Sequence, residues 1–181
     1  MKTKWCPLAA LLVITLLATG SALFYLSFFP PNDLESWFSH AGLIAMIGWV
    51  FLIFGPRRWS SLSAFPAYVF PAVLSLGYAI LVLRYFSTAE GSFRTLADVA
   101  LLFSDDHALL AGWVHYLAFD LFIGAWIARR ADDAGISRIV QAPLLVSTFM
   151  FGPLGLLLFF IFWKSRDLVL DTRNLMAQGA G

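Results

Sequence analysis

Charge is what this chain has least of. Only 13% of its 181 residues are Asp, Glu, Lys or Arg, about half the share of an ordinary soluble domain. Hydrophobic residues make up 60%, and mean hydropathy is +0.80. One core of this size cannot hide so many apolar side chains, which excludes a soluble globular domain and places the chain in a bilayer. The 12 basic residues nearly balance the 11 acidic ones, leaving +1, so there is no reason to expect a nucleic-acid partner. Cys6 is the single cysteine. An intrachain disulfide and a cysteine-rich metal site are therefore excluded. No internal repeat or low-complexity tract is present.

What the chain does have is apolar runs, at 8–29, 37–54, 65–83, 109–128 and 139–163. Each is 18 to 25 residues long, close to the roughly 20 that a helix needs to cross about 30 Å of hydrocarbon. Unbroken runs without period-two alternation exclude a β-barrel. The expected fold is all-α: a polytopic transmembrane helical bundle with a four-helix core and one N-terminal helix. Residues 1–35 read as the N-terminal anchor, 36–164 as the membrane domain and 165–181 as a polar tail.

Lys2, Lys4, Arg57, Arg58, Arg129, Arg130 and Arg138 fall on one side of this arrangement, against Arg84, Arg94, Lys164, Arg166 and Arg173 on the other. Weighting the short loops near the early spans, this bias predicts a cytoplasmic N-terminus and an outward C-terminus, although the basic tail opposes it. The small residues Ala18, Gly20, Ser21 and Ala22 after an apolar stretch also resemble a signal-peptide cleavage site. Cleavage would leave a mature end rich in Phe and Leu, which favours an uncleaved anchor.

The one long connection runs from 84 to 108. Phe93, Leu96, Val99, Leu102 and Phe103 recur there at near-helical spacing, predicting a short helix on the membrane surface rather than a moving lid. Ser104, Asp105 and Asp106 stand where the next helix begins, suited to capping it. Beside His107 they make an Asp-Asp-His cluster, but no further ligand group follows at fixed spacing, so no metal or cofactor is expected.

Asp120 is the only charged residue within any of the five runs, near the centre of the fourth. An ionised carboxylate at that depth costs at least about 2.5–3.5 kcal/mol, so such a residue faces the bundle interior and is a functional candidate by default. The structural alternative is an interhelical hydrogen bond made by its acid form. Gly112, Tyr116, Asp120 and Gly124 follow each other at intervals of four, a stripe where a neighbouring helix can approach. His115 lies about 140° away around the same helix and does not share that stripe. With His40 and Arg84 it belongs to the outer half, so polar groups from three helices are expected to converge above Asp120. In the last run, Phe151-Gly152-Pro153-Leu154-Gly155 predicts a kink, read either as a packing notch or as an opened carbonyl lining a pocket. The 18 Phe, 7 Trp and 5 Tyr are mostly core and interfacial anchors, but such walls also suit a polyene, quinone or prenyl chain.

The run Trp113-Val-His115-Tyr-Leu-Ala-Phe-Asp120-Leu-Phe122, followed by Phe151-Gly-Pro153-Leu-Gly155, resembles the membrane proteins named for abscisic-acid deficiency in plants, which are associated with neoxanthin formation. Trp49-Val-Phe-Leu-Ile-Phe-Gly-Pro56-Arg57 is similar to the end of that family's first common helix. The resemblance covers 36–163. It implies a four-helix core acting on a xanthophyll, in which violaxanthin's epoxide opens to the allenic alcohol of neoxanthin without net redox. That chemistry needs a base and an acid. Asp120 and His115 carry over as catalytic candidates with roles unassigned, and Trp113, Tyr116, His40, Arg84 and Pro153 as substrate-binding candidates. The family often has a basic residue five positions after the aspartate, where this chain has Ala125. No Ser- and Arg-rich transit peptide precedes the first run, so a bacterial inner membrane is expected rather than a plastid. The partners expected are membrane lipids, a carotenoid-like or isoprenoid ligand and self-association, with no nucleic acid. The alternative function is a non-catalytic assembly subunit that uses the Asp120 and glycine stripe to bind a partner helix. A proton-coupled transporter is weaker still, because no inverted repeat is visible.

Overall fold

The computed structural model describes residues 33–55 and 65–179. The first apolar run with Lys2 and Lys4, the region of the suspected cleavage site, and Arg57 and Arg58 lie outside the described residues. Within them the chain is all helix: α1 Leu34–Phe54, α2 Phe70–Tyr85, α3 Leu96–Leu102, α4 Asp106–Asp133, α5 Arg138–Phe151 and α6 Pro153–Gly179. A π-helical turn, Phe65–Val69, leads into α2. The expected all-α bundle is what the chain forms. Three stretches are long and apolar enough to cross a membrane: Leu34–Phe54, Phe65–Tyr85 and Asp106–Asp133.

The starts follow ordinary capping chemistry. Asp33 accepts hydrogen bonds from the Ser36 amide at 3.0 Å and the Ser36 hydroxyl at 2.5 Å. Thr95 caps α3 through the Asp98 amide, and Asp105 caps α4 through the amides of His107 and Ala108. A short helix and the capping role expected between 93 and 106 are therefore both present.

α4 is the axis of the fold. Its start lies beside the start of α1, where Phe38 stacks on Trp113 with ring centroids 5.7 Å apart. It also lies beside the end of α2, where Tyr85 stacks on His107 at 3.9 Å. We call this end the top. At the bottom, Arg129 donates to the Tyr68 hydroxyl and Arg138 to the Gly55 carbonyl. Thus α1 and α4 descend while α2 ascends. Two cores lie along the axis: an upper one around Trp37, Leu74, Leu81 and Val114, and a lower one around Trp49, Leu121, Ile127 and Phe159.

The last apolar run departs from expectation. Instead of one crossing over 139–163, α5 rises from the bottom, the chain breaks at Gly152, and α6 returns to the bottom. Three contacts fix the descent: Trp126 of α4 meets Phe159 at 5.5 Å, Arg130 lies over the Trp163 ring at 5.5 Å, and Arg166 donates to the Ala134 carbonyl at 3.1 Å. The physical cause is local. Gly152 adopts φ +33°, a conformation that L side chains rarely take, and Pro153 follows as the first residue of α6. Gly155 lets the two arms close, since a Cβ there would strike the backbone of Thr148. With about 1.5 Å of rise per residue, the 14 residues of α5 reach only about 21 Å. α5 and α6 form a helical hairpin whose tip ends at the level of Asp120. α6 then continues through the segment read as a polar tail, to Gly179.

Candidate functional site

Asp120 projects from the middle of α4 toward the hairpin tip. It is only 8% exposed, and its Oδ2 is shielded from solvent with no hydrogen-bond partner among the described residues. The other side of the contact is Gly152: a Cβ built there would meet both carboxylate oxygens, so glycine is what allows the tip to close on the acid. Tyr116, one turn above, interacts with the carboxylate and donates to the Met150 carbonyl at 3.4 Å. The hairpin tip therefore presents backbone, not side chain, to the buried acid.

Above the tip the upper half of α4 is uncovered on this face. Phe38, Trp113 and Tyr116 form a ladder of rings there, with steps of 5.7 and 5.6 Å. Trp113 is 40% exposed. Together with Leu34, Glu35, Asp106, Leu109 and Leu110, Phe38 and Trp113 line an open recess of about 460 Å3 at the top. Below the recess and outside its walls, Trp113 stacks on Tyr116, whose hydroxyl reaches the Met150 carbonyl beside the buried Asp120. Pro153 is exposed at the tip.

The remaining expected residues are elsewhere. His115 stacks on Phe119 at 4.6 Å and meets Tyr78 at 5.3 Å, on the opposite side of α4. With His107 it lines a second cavity of about 310 Å3 between α2, α3 and α4. His40 is half-buried on α1, and its two-residue offset from Phe38 turns it away from the recess. Arg84 is exposed at the top of α2, 5.9 Å from the Tyr85 ring. Trp113 thus lines the recess and Tyr116, Asp120 and Pro153 lie at the hairpin tip below it, while His115, His40 and Arg84 are at neither place.

The expected stripe divides because each four-residue step advances about 40° around a helix of 3.6 residues per turn. Gly112 meets the Phe103 ring at one extreme and Gly124 meets the Trp49 ring at the other, leaving Tyr116 and Asp120 to the hairpin. Met150 and Gly152 were missed by sequence reasoning as partners of the acid. The Gly152-Pro153 pair was the available signal.

A conserved-family model described as ABA4-like, ABA DEFICIENT 4-like, matches residues 36–159. The chain belongs to this family. The matched segment of this ABA4-like chain runs from the third residue of α1 through α5 and the hairpin turn, and includes every residue of the recess except Leu34 and Glu35. Family membership and the three apolar helices fit a membrane protein. No curated protein and no solved structure matches the chain.

Proposed function

We propose that this ABA4-like protein binds a carotenoid-like or isoprenoid lipid in the recess above the hairpin tip and isomerises it there, with Asp120 as the proton-transfer residue. The observation that carries the reading is a buried carboxyl with an unpartnered oxygen at the foot of an exposed ladder of aromatic rings. A polyene lies well against stacked ring faces, and a recess open along its side accepts a molecule longer than the protein is wide. The acid and the Tyr116 hydroxyl lie below the recess, so a ligand long enough to pass down the ring ladder is brought to them at its inner end. Opening an epoxide to an allenic alcohol balances without a redox partner: a proton leaves the polyene-side carbon, the epoxide C–O bond breaks, and its oxygen takes up a proton. His115 lies across α4 and serves no step in this scheme.

Charge supports an orientation. Arg129, Arg130, Arg138, Lys164 and Arg166 lie toward the bottom, against Arg84 and Arg94 toward the top. The return of α6 moves Lys164 and Arg166 to the basic side, which removes the opposition of the tail. By the positive-inside rule the bottom is cytoplasmic and the recess opens to the outer leaflet of a bacterial inner membrane. The cytoplasmic N-terminus expected from the charge bias belongs to the same reading. The assembly alternative is weaker, since Gly124 and Gly112 are occupied within the chain by Trp49 and Phe103.

The test is pigment and product. Purified from a carotenoid-producing host, the protein is expected to carry a visible-absorbing polyene and to convert added epoxy-carotenoid. Asp120→Asn should keep folding and bound pigment while losing conversion. A colourless wild-type protein, or full conversion by Asp120→Asn, refutes the proposal.

A further inference from the structure

The cavity on the other face of α4 has no part in that reading. It holds about 310 Å3, at the small end of the roughly 300–1,000 Å3 typical of ligand sites, which suits a ring-sized group rather than a whole lipid. Its walls are chiefly aromatic. Phe86 and Phe93 stack at 5.8 Å with only 15° between their planes, and Tyr78, Tyr85 and Phe103 complete the ring-bearing side. Leu102 of α3, 3% exposed, closes it from above.

This cover is a fixed part of the fold. The loop before α3 is tied to it by Ser92, whose hydroxyl donates to Asp98 at 2.9 Å. Gly91 at φ +100° packs directly on the backbone of Asp98 and Leu102. Phe93 is 70% exposed and Phe86 and Phe103 about 40%, so the rim is apolar and a tail can leave between them into lipid.

Two imidazoles supply the polar chemistry. His107 is pinned on two sides: its ring stacks on Tyr85 at 3.9 Å, and its Nδ1 lies 3.7 Å from an Asp105 oxygen. That same oxygen caps α4 through the His107 and Ala108 amides, so the carboxylate cannot swing away without uncapping the helix. At 3.7 Å the Asp105 oxygen is too far from Nδ1 for a hydrogen bond and does not hold the ring as its Nδ1–H tautomer, so the tautomer with the proton on Nε2 can donate to a ligand from the other edge. His115 stands about two turns lower on α4, roughly 12 Å by helical rise. Stacked rings favour a planar ligand, and imidazole N–H groups favour one with acceptor oxygens.

We infer that this cavity is a second ligand site, which takes the headgroup of a quinone-type isoprenoid, with His107 as its hydrogen-bond donor and the prenyl tail leaving between Phe86, Phe93 and Phe103. It is independent of the recess, because the two lie on opposite faces of α4.

The test uses the full chain in phospholipid nanodiscs with decylubiquinone as probe and decanol as the ring-less control. Decylubiquinone should bind saturably and raise the unfolding temperature, and decanol should not. Ala108→Phe, which places a ring inside the cavity, should abolish binding. His107→Phe keeps the stack on Tyr85 but removes the donor, and should raise Kd about tenfold, the value of one hydrogen bond. Equal stabilisation by decanol, or undiminished affinity in His107→Phe, overturns the inference even if Ala108→Phe fails to fold. Loss of pigment from the recess leaves these outcomes unaffected, so the two proposals fail separately.

Discussion

Replacing Gly152 by alanine tests the contact between the hairpin tip and Asp120. Two costs arise from one methyl group. The residue sits at φ +33° and ψ −90°, a sparsely populated region that costs a side-chain-bearing residue about 1–3 kcal/mol, and the new atom is driven into the Asp120 carboxylate, an overpacking of about 1–3 kcal/mol. Gly152→Ala should therefore destabilise the protein by about 2–6 kcal/mol. The second cost needs the carboxylate to be present. In an Asp120→Ala background only the backbone cost survives, so the double mutant should be more stable than the two single effects added together, by about 1–3 kcal/mol. Reversible unfolding in mixed micelles measures this. Tryptophan fluorescence is a suitable signal, because Trp49 packs on Phe149 near the tip and Trp126 on Phe159. If the two costs add to within about 0.5 kcal/mol, the hairpin tip does not close on Asp120 and the site as described is wrong.

Other outcomes follow from the same geometry. Gly124→Leu pushes a side chain into Trp49 and should cost about 1–3 kcal/mol or more in stability while leaving the oligomeric state unchanged in size-exclusion measurements. In a Cys6→Ser background, single cysteines at Ser137 and Ser165 should be labelled from the same face of sealed vesicles, and one at Thr88 from the opposite face. Labelling of Ser165 with Thr88 would restore a full crossing. Asp33 is fully exposed, and hydrogen bonds from Ser36 hold its carboxyl below the usual 3.8. Its folded value is the lower one, so its capping contribution is present above about pH 3.8 and is lost as pH falls through the folded value. Exchange of the Ser36 amide should accelerate only in that acidic window.

The three long helices were readable because burial in lipid leaves a composition signal as long as the span itself, and charged or polar residues such as Asp33, Arg84 and Asp105 bound them. The hairpin was not, for a reason that the residues around Gly152 make clear. Hydropathy reports how apolar a segment is and says nothing about its direction; two short arms folded together have the same composition as one long crossing. What separates the readings is the backbone at Gly152, the contact of Gly155 with Thr148, and the basic residues Lys164 and Arg166 at the end of the second arm. The last of these was visible as a charge imbalance that opposed the assumed topology. Asp120 stood out by its isolation among apolar neighbours. Its partners did not, because the hairpin tip meets it with a glycine and the Tyr116 hydroxyl meets a main-chain carbonyl, and neither contact has a side-chain signature.

A hairpin that stops partway also gives the described part of the molecule unequal ends. Among the described residues, a section through the bottom cuts α1, α2, α4, α5 and α6, whereas one through the top cuts only three long helices. In a bilayer such a body is a wedge that displaces more lipid from one leaflet than from the other. Its insertion energy then depends on membrane curvature, and the lipid that fills the narrow half is the lipid already standing at the mouth of the recess.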